Sequence, residues 1–109
     1  MKEARPTIST HVLDTDLGRP AAGIGVRVER VDGATAIVVG EGTTDADGRI
    51  TNLLSGPLAA GTYRLTFDLA ARGAFFRSVS LEIQVEDTSR SCHVPLLLAP
   101  FAMTSYRGS

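Results

Sequence analysis

From Val79 to Val85 every second residue is apolar, with Val79, Leu81, Ile83 and Val85 alternating with Ser80, Glu82 and Gln84. A two-residue period is that of a half-buried strand, one face on a core and the other in water. The stretch Gly61 to Asp68 repeats the pattern, with Tyr63, Leu65 and Phe67 on one face. Ile24, Val26 and Val28 do so again, alternating with Gly25, Arg27 and Glu29. A helical period of 3.6 never persists for a useful length. Leu69-Ala70-Ala71-Arg72 allows one turn before Gly73 stops it.

The remaining apolar runs are short and bounded by turn residues. Thr7 to Leu13 is β-branched and roughly alternating, and Ala36 to Val39 follows the turn at Val31-Asp32-Gly33. Asp45-Ala46-Asp47-Gly48 is a tight turn, after which Ile50 to Leu54 is expected as a short strand. His93 to Leu98 is continuously apolar after its histidine, and Pro95 predicts an edge strand or a bulge there. Ser105-Tyr106-Arg107 offers one last strand. The expected fold is all-β: an antiparallel β-sandwich of about seven or eight strands, with at most one short helical turn. At 109 residues, positions 1–109 are expected to form one domain. Such a short chain leaves little room for a deep private pocket, which favours a site shared between subunits.

Composition removes several function classes. The net charge is -1 and the ten arginines are scattered, so nucleic acid is not expected as a partner. No run approaches the roughly 18 apolar residues that a bilayer span needs. Met1 to Pro6 is polar and lacks the apolar segment of a signal peptide, which points to the cytoplasm. Cys92, the sole cysteine, excludes an intrachain disulfide and a CxxC motif, and reads as a small, partly buried strand residue. Lys2, the sole lysine, leaves no credible Schiff-base residue in the body of the fold. Asp45-x-Asp47-Gly48 resembles the start of a calcium loop, but Leu54 stands where its glutamate belongs, so no metal site is expected.

The chemistry must then fall to few residues. His11 and His93 are the only histidines, and both sit in strand-like segments that a sandwich can bring together. Imidazole, with an unperturbed pKa of about 6.5, suits proton transfer near neutral pH. Composition alone favours two unrelated surface or core histidines. His11 shares a strand face with Leu13, either against the core or on a surface another subunit covers. Arg49 follows the Asp45 turn. The tail Tyr106-Arg107-Gly108-Ser109 is either frayed or tied into the sheet after the apolar run.

These residues, taken in order, resemble the 5-hydroxyisourate hydrolases. Ser9-Thr10-His11-Val12-Leu13-Asp14-Thr15 and Gly18-Arg19-Pro20-Ala21 resemble their N-terminal signature, and Thr44-Asp45-x-Asp47-Gly48-Arg49 their central motif. Gly61-Thr62-Tyr63-Arg64-Leu65 and Phe67-Asp68 resemble the middle strand, and His93 to Leu98 with Pro100-Phe101 the penultimate one. The tail 106–109 is the feature that separates these hydrolases from transthyretin, the hormone carrier of the same fold. The chain departs at Ser91-Cys92-His93, where members carry His-Tyr-His, and at Met103, where they carry an aromatic residue. It also has Phe75-Phe76-Arg77 in place of a proline-ended motif and a shortened stretch after Asp68.

The resemblance implies a homotetramer, a dimer of dimers, with sites at the dimer–dimer interface. It implies that His11, Arg49 and His93 are catalytic, and that His11, Arg49, Tyr106, Arg107, Gly108 and Ser109 bind substrate. The implied reaction opens 5-hydroxyisourate to 2-oxo-4-hydroxy-4-carboxy-5-ureidoimidazoline, a step of urate breakdown, without a cofactor. A histidine would activate water, and Arg49 would offset developing charge. The alternative is a non-catalytic small-molecule carrier of the transthyretin type using the same channel. A plain adhesion or carbohydrate-binding module is disfavoured, since the chain has no tryptophan for an aromatic platform.

Overall fold

The computed structural model describes residues 5–108. They form nine strands: β1 (Ile8–Asp14), β2 (Arg19–Pro20), β3 (Gly25–Asp32), β4 (Thr35–Thr43), β5 (Arg49–Ile50), β6 (Gly61–Asp68), β7 (Ser78–Val85), β8 (Cys92–Leu98) and β9 (Met103–Ser105). One sheet runs β2-β1-β8-β9, with β5 also on β1; the other runs β4-β3-β6-β7. The expected sandwich is therefore present, with two strands of only two residues raising the number. A single 3-10 turn, Ala70–Arg72, ends at Gly73 in the left-handed region. No helix among the described residues is long and apolar enough to cross a membrane.

The alternating strands supply the core. Val12, Val28, Leu65, Phe67 and Leu96 are fully buried between the sheets. Each such side chain stabilises the fold by roughly 1.5–3 kcal/mol. Their polar neighbours are matched as well: Tyr63 donates its phenol to the Ala59 carbonyl, and Thr44 donates to that of Ala21. Asp14, buried at the end of β1, accepts from the Asp16 and Leu17 amides and pairs with Arg72 of the 3-10 turn. Its carboxyl is held below the usual range, chiefly by the Leu17 amide and then by Arg72. The shortened stretch after Asp68 is thus tied to β1 by charge.

Four details differ from expectation, the first being the last strand, which is Met103–Ser105 and not Ser105 to Arg107. Neighbouring strands are antiparallel except β1 and β8, which run parallel from Ile8↔Cys92 to Asp14↔Leu98. The strand expected over Ile50 to Leu54 stops at Ile50. Leu53 and Leu54 are both buried, which a one-faced strand cannot achieve, and they instead plug the space between the sheets as a loop. Finally, Pro95 lies in an interior strand without a bulge. Odd-numbered residues of β8 turn their polar backbone toward β9, as the Gly108 N to His93 O bond shows. The missing N–H of Pro95 falls in the gap between the Leu96↔Ser105 rung and the isolated His93↔Gly108 bridge, opposite tail residues that lie outside any strand.

Candidate active site on the outer face of the β1–β8 ladder

Burial alternates strictly along β1. Ile8, Thr10 and Val12 point into the core, so Ser9, His11 and Leu13 stand half-buried on the outer face. Of the two placements open to His11, the structure takes the surface one. On β8 the two-residue period puts His93, Pro95 and Leu97 on that outer face, His93 and Leu97 half-buried and Pro95 buried. The parallel register then sets Ser9 beside His93 and His11 beside Pro95.

Arg49 reaches this face through its turn. One Asp45 carboxylate oxygen accepts from both the Asp47 and the Arg49 amides, each at 2.9 Å. The Asp45 amide in turn donates to the Arg49 carbonyl, at 3.0 Å. The Asp-x-Asp-Gly sequence therefore serves as a turn that launches β5, and it pairs Arg49 with His11 across the ladder. Ile50, one residue on, faces the core, so Arg49 faces outward.

The tail is tied down as far as Gly108. The Gly108 amide donates to the His93 carbonyl at 2.8 Å. That bridge continues the β8–β9 register, which places Tyr106 opposite Pro95 and Arg107 opposite Val94. Two rows result, Ser9–His93–Gly108 and His11–Pro95–Tyr106. Gly108 is held to glycine by contact: a Cβ there would lie 2.5 Å from Cδ2 of the His93 ring.

Strand parity separates Arg107 from this group. It lines a cavity of about 390 Å³ with Leu81, Ile83, Cys92 and Val94, on the other side of the sheet. There it adds to the influences that hold the Asp87 carboxyl below its ordinary range, after the Ser89 bonds that dominate. Tyr106 also borders that cavity and is largely exposed. Ser109, which the resemblance also implicates, lies outside the described residues. Among the described residues no group of three or more His, Cys, Asp or Glu side chains is placed to hold a metal ion.

The electrostatics single out His93. Its pKa is pushed below 6.5, first by burial, then by the positive charges of Arg49 and His11. Near neutral pH His93 is therefore an uncharged imidazole, able to accept a proton. Exchange of Arg49 for methionine removes one repulsive charge. The His93 titration midpoint, followed by NMR, is expected to move up toward 6.5; an unmoved midpoint would show that the guanidinium does not act on the ring.

Sequence reasoning overlooked Ser9, whose hydroxyl lies 2.8 Å from Nδ1 of His93. The available signal was its position two residues before His11, on the same strand face.

The model of the HIUase/Transthyretin family matches residues 8–108. The 5-hydroxyisourate hydrolase of Deinococcus radiodurans is 44% identical over 115 residues, spanning 95% of this chain and 97% of that protein. The uric acid degradation bifunctional protein TTL of Arabidopsis thaliana is 43% identical over 125 residues, covering 99% of this chain but 39% of that protein. Among solved structures, the Klebsiella pneumoniae 5-hydroxyisourate hydrolase superposes with a TM-score of 0.82 at 34% identity, covering 95% of this chain and 99% of that one.

Proposed function

Because the chain belongs to the HIUase/transthyretin family, we infer that it hydrolyses 5-hydroxyisourate in urate degradation, with His93 as the base that activates water. The observation that carries the reading is the convergence of His11, Arg49 and His93 on one sheet face, with Arg49 paired to His11 and both acting on His93.

The chemistry follows from these three side chains. The uncharged His93 takes a proton from water as its oxygen adds to a ring carbonyl carbon. Negative charge gathers on the former carbonyl oxygen, where the Arg49 guanidinium offsets it with a fixed cation. Collapse of this adduct breaks the ring C–N bond, and the proton held by His93 passes to the departing nitrogen. The carboxy and ureido groups of 2-oxo-4-hydroxy-4-carboxy-5-ureidoimidazoline are the two halves of the cleaved amide. His11 positions water or substrate. Tyr106 and Gly108 contribute the rim, with the Tyr106 phenol as a hydrogen-bonding group. No step calls on a cofactor.

The proposal extends to assembly. Residues 1–109 act as one domain in a cytoplasmic homotetramer, a dimer of dimers, with the outer face of the β1–β8 ladder at the dimer–dimer interface. Two observations support this: the candidate residues lie on an open sheet face, and β7 and β9 are edge strands with hydrogen-bonding groups left for another chain. The test generates 5-hydroxyisourate freshly from urate and follows its ultraviolet decay. Catalytic amounts of protein are expected to speed that decay well above the spontaneous rate. No acceleration by a folded tetramer sinks the enzyme reading, and binding without turnover is the carrier outcome. A monomer at micromolar concentration with full activity would contradict the shared site.

A further inference from the structure

We propose that Ser9 is a positioning residue for this reaction: its hydroxyl accepts the Nδ1–H of His93 and so leaves Nε2 as the free lone pair of the ring. The inference rests on the reading of His93 as the base. Its observations concern the ring alone.

The parallel ladder puts Ser9 directly beside His93, and the Ser9 oxygen is 2.8 Å from Nδ1. The opposite edge of the ring is occupied too. Gly108 packs there so closely that a Cβ would fall 2.5 Å from Cδ2, 3.1 Å from Cγ and 3.2 Å from Cβ of His93. The Gly108 amide also fastens the strand to the His93 carbonyl. With Nδ1 held on one edge and Cδ2 against backbone on the other, Nε2 and Cε1 are the ring atoms left to meet a substrate. A ring flip would set a C–H against the Ser9 hydroxyl and lose that hydrogen bond.

The direction of the bond follows from what a base must do. A neutral imidazole has one donor nitrogen and one acceptor nitrogen. If Ser9 donated to Nδ1, the proton would reside on Nε2 and the open edge could not take another. That arrangement would also have to break when the ring became charged, because both nitrogens then donate. With Ser9 accepting, the same bond serves the neutral and the protonated ring, and nothing reorganises as the proton arrives. A hydroxyl is also an uncharged acceptor. A carboxylate at this position would favour the charged imidazolium and oppose the effect of Arg49 and His11.

The experiment uses protein labelled with 15N at histidine, with long-range proton–nitrogen NMR above the His93 titration, on wild type, Ser9→Ala and Ser9→Thr. Wild-type His93 is expected to carry its proton on Nδ1. Ser9→Ala is expected to move the population toward the Nε2–H tautomer and to lower kcat by about tenfold with little change in KM, the scale of one lost hydrogen bond. Ser9→Thr, which keeps the hydroxyl on a β-branched residue suited to a strand, is expected to restore both. An Nε2–H tautomer in the wild type overturns the proposal. So does a Ser9→Ala protein with unchanged tautomer and unchanged kcat. The tautomer is read without substrate, so a chain that failed to hydrolyse 5-hydroxyisourate would refute the function while leaving the Ser9–His93 bond measurable.

Discussion

Exchange of His93 for glutamine is expected to lower kcat for 5-hydroxyisourate by about 10²–10⁴-fold, the contribution of a positioned general base. Glutamine keeps a polar group of similar length but has no nitrogen able to take a proton near neutral pH. Because His93 is half-buried on the outer face, the exchange leaves the core untouched, and the melting temperature is expected to change little. The acid side of the wild-type pH profile carries a second signature. Burial, then Arg49 and His11, lower the His93 pKa below 6.5. The uncharged, proton-accepting form therefore persists as pH falls through 6.5, and kcat/KM declines only as pH approaches the lowered value. Arg49→Met shifts that decline upward, toward 6.5, in addition to its effect on rate. A glutamine variant with wild-type turnover would remove His93 from the mechanism. An acidic limb centred above 6.5 would contradict its depressed basicity.

The largest expected effect on stability lies away from the site, at Gly40. Strand β4 carries one residue more than β3 there, since Val28 pairs with Gly40 but Glu29 pairs with Val38. Val39 is the bulged residue, and its carbonyl accepts from both the amide and the hydroxyl of Ser55. These bonds draw the loop after β5 against the strand, and a further bond from the Leu53 amide to the Ile8 carbonyl holds it. A Cβ at position 40 would lie 1.7 Å from the Leu53 carbonyl oxygen and 2.7 Å from its carbon. Both are backbone atoms, so no rotamer relieves the clash. Gly40→Ala is expected to cost at least about 3 kcal/mol, above the ordinary range for overpacking. For a domain of this size that is a fall in Tm of roughly 12–24 °C. Gly56, where an added Cβ meets nothing within 4 Å, is the control, and Gly56→Ala is expected to be close to neutral. Equal Tm values for the two variants would show that the loop yields at little cost.

The ease with which each element was read follows from where its information resides. Strands β6 and β7 were legible almost to the residue because one buried face imposes alternation on the chain itself. The leucines at 53 and 54 misled because two successive buried residues reflect a plug between sheets, and only tertiary packing defines such a plug. The interior place of β8 was hidden for a related reason. Whether Pro95 is tolerated depends on which neighbour its nitrogen faces, and the parallel partner of β8 lies at the other end of the chain. At the site, chemistry alone nominated two histidines, and motif resemblance linked them with Arg49. The tail was legible only as a motif: Arg107 lines the cavity beside Cys92 and Val94, and Tyr106 borders the same cavity. Ser9 passed unnoticed because its role depends on a cross-strand neighbour 84 positions away.

The parallel pairing of β1 with β8 also sets a timetable for folding. A ribosome adds roughly 5–20 residues per second, so β1 waits on the order of ten seconds for its partner to be made. During that interval the β4-β3-β6-β7 sheet can close through hairpins and nearby contacts, while one edge of β1 lacks its native neighbour. The final docking must close a loop of more than eighty residues, the kind of distant contact that makes β-sandwiches slow folders. His11 and Arg49 emerge early, but the ring they act upon arrives with the last sheet to be completed. Catalytic competence therefore coincides with the end of folding, and partly folded chains carry the residues of the site without its activity.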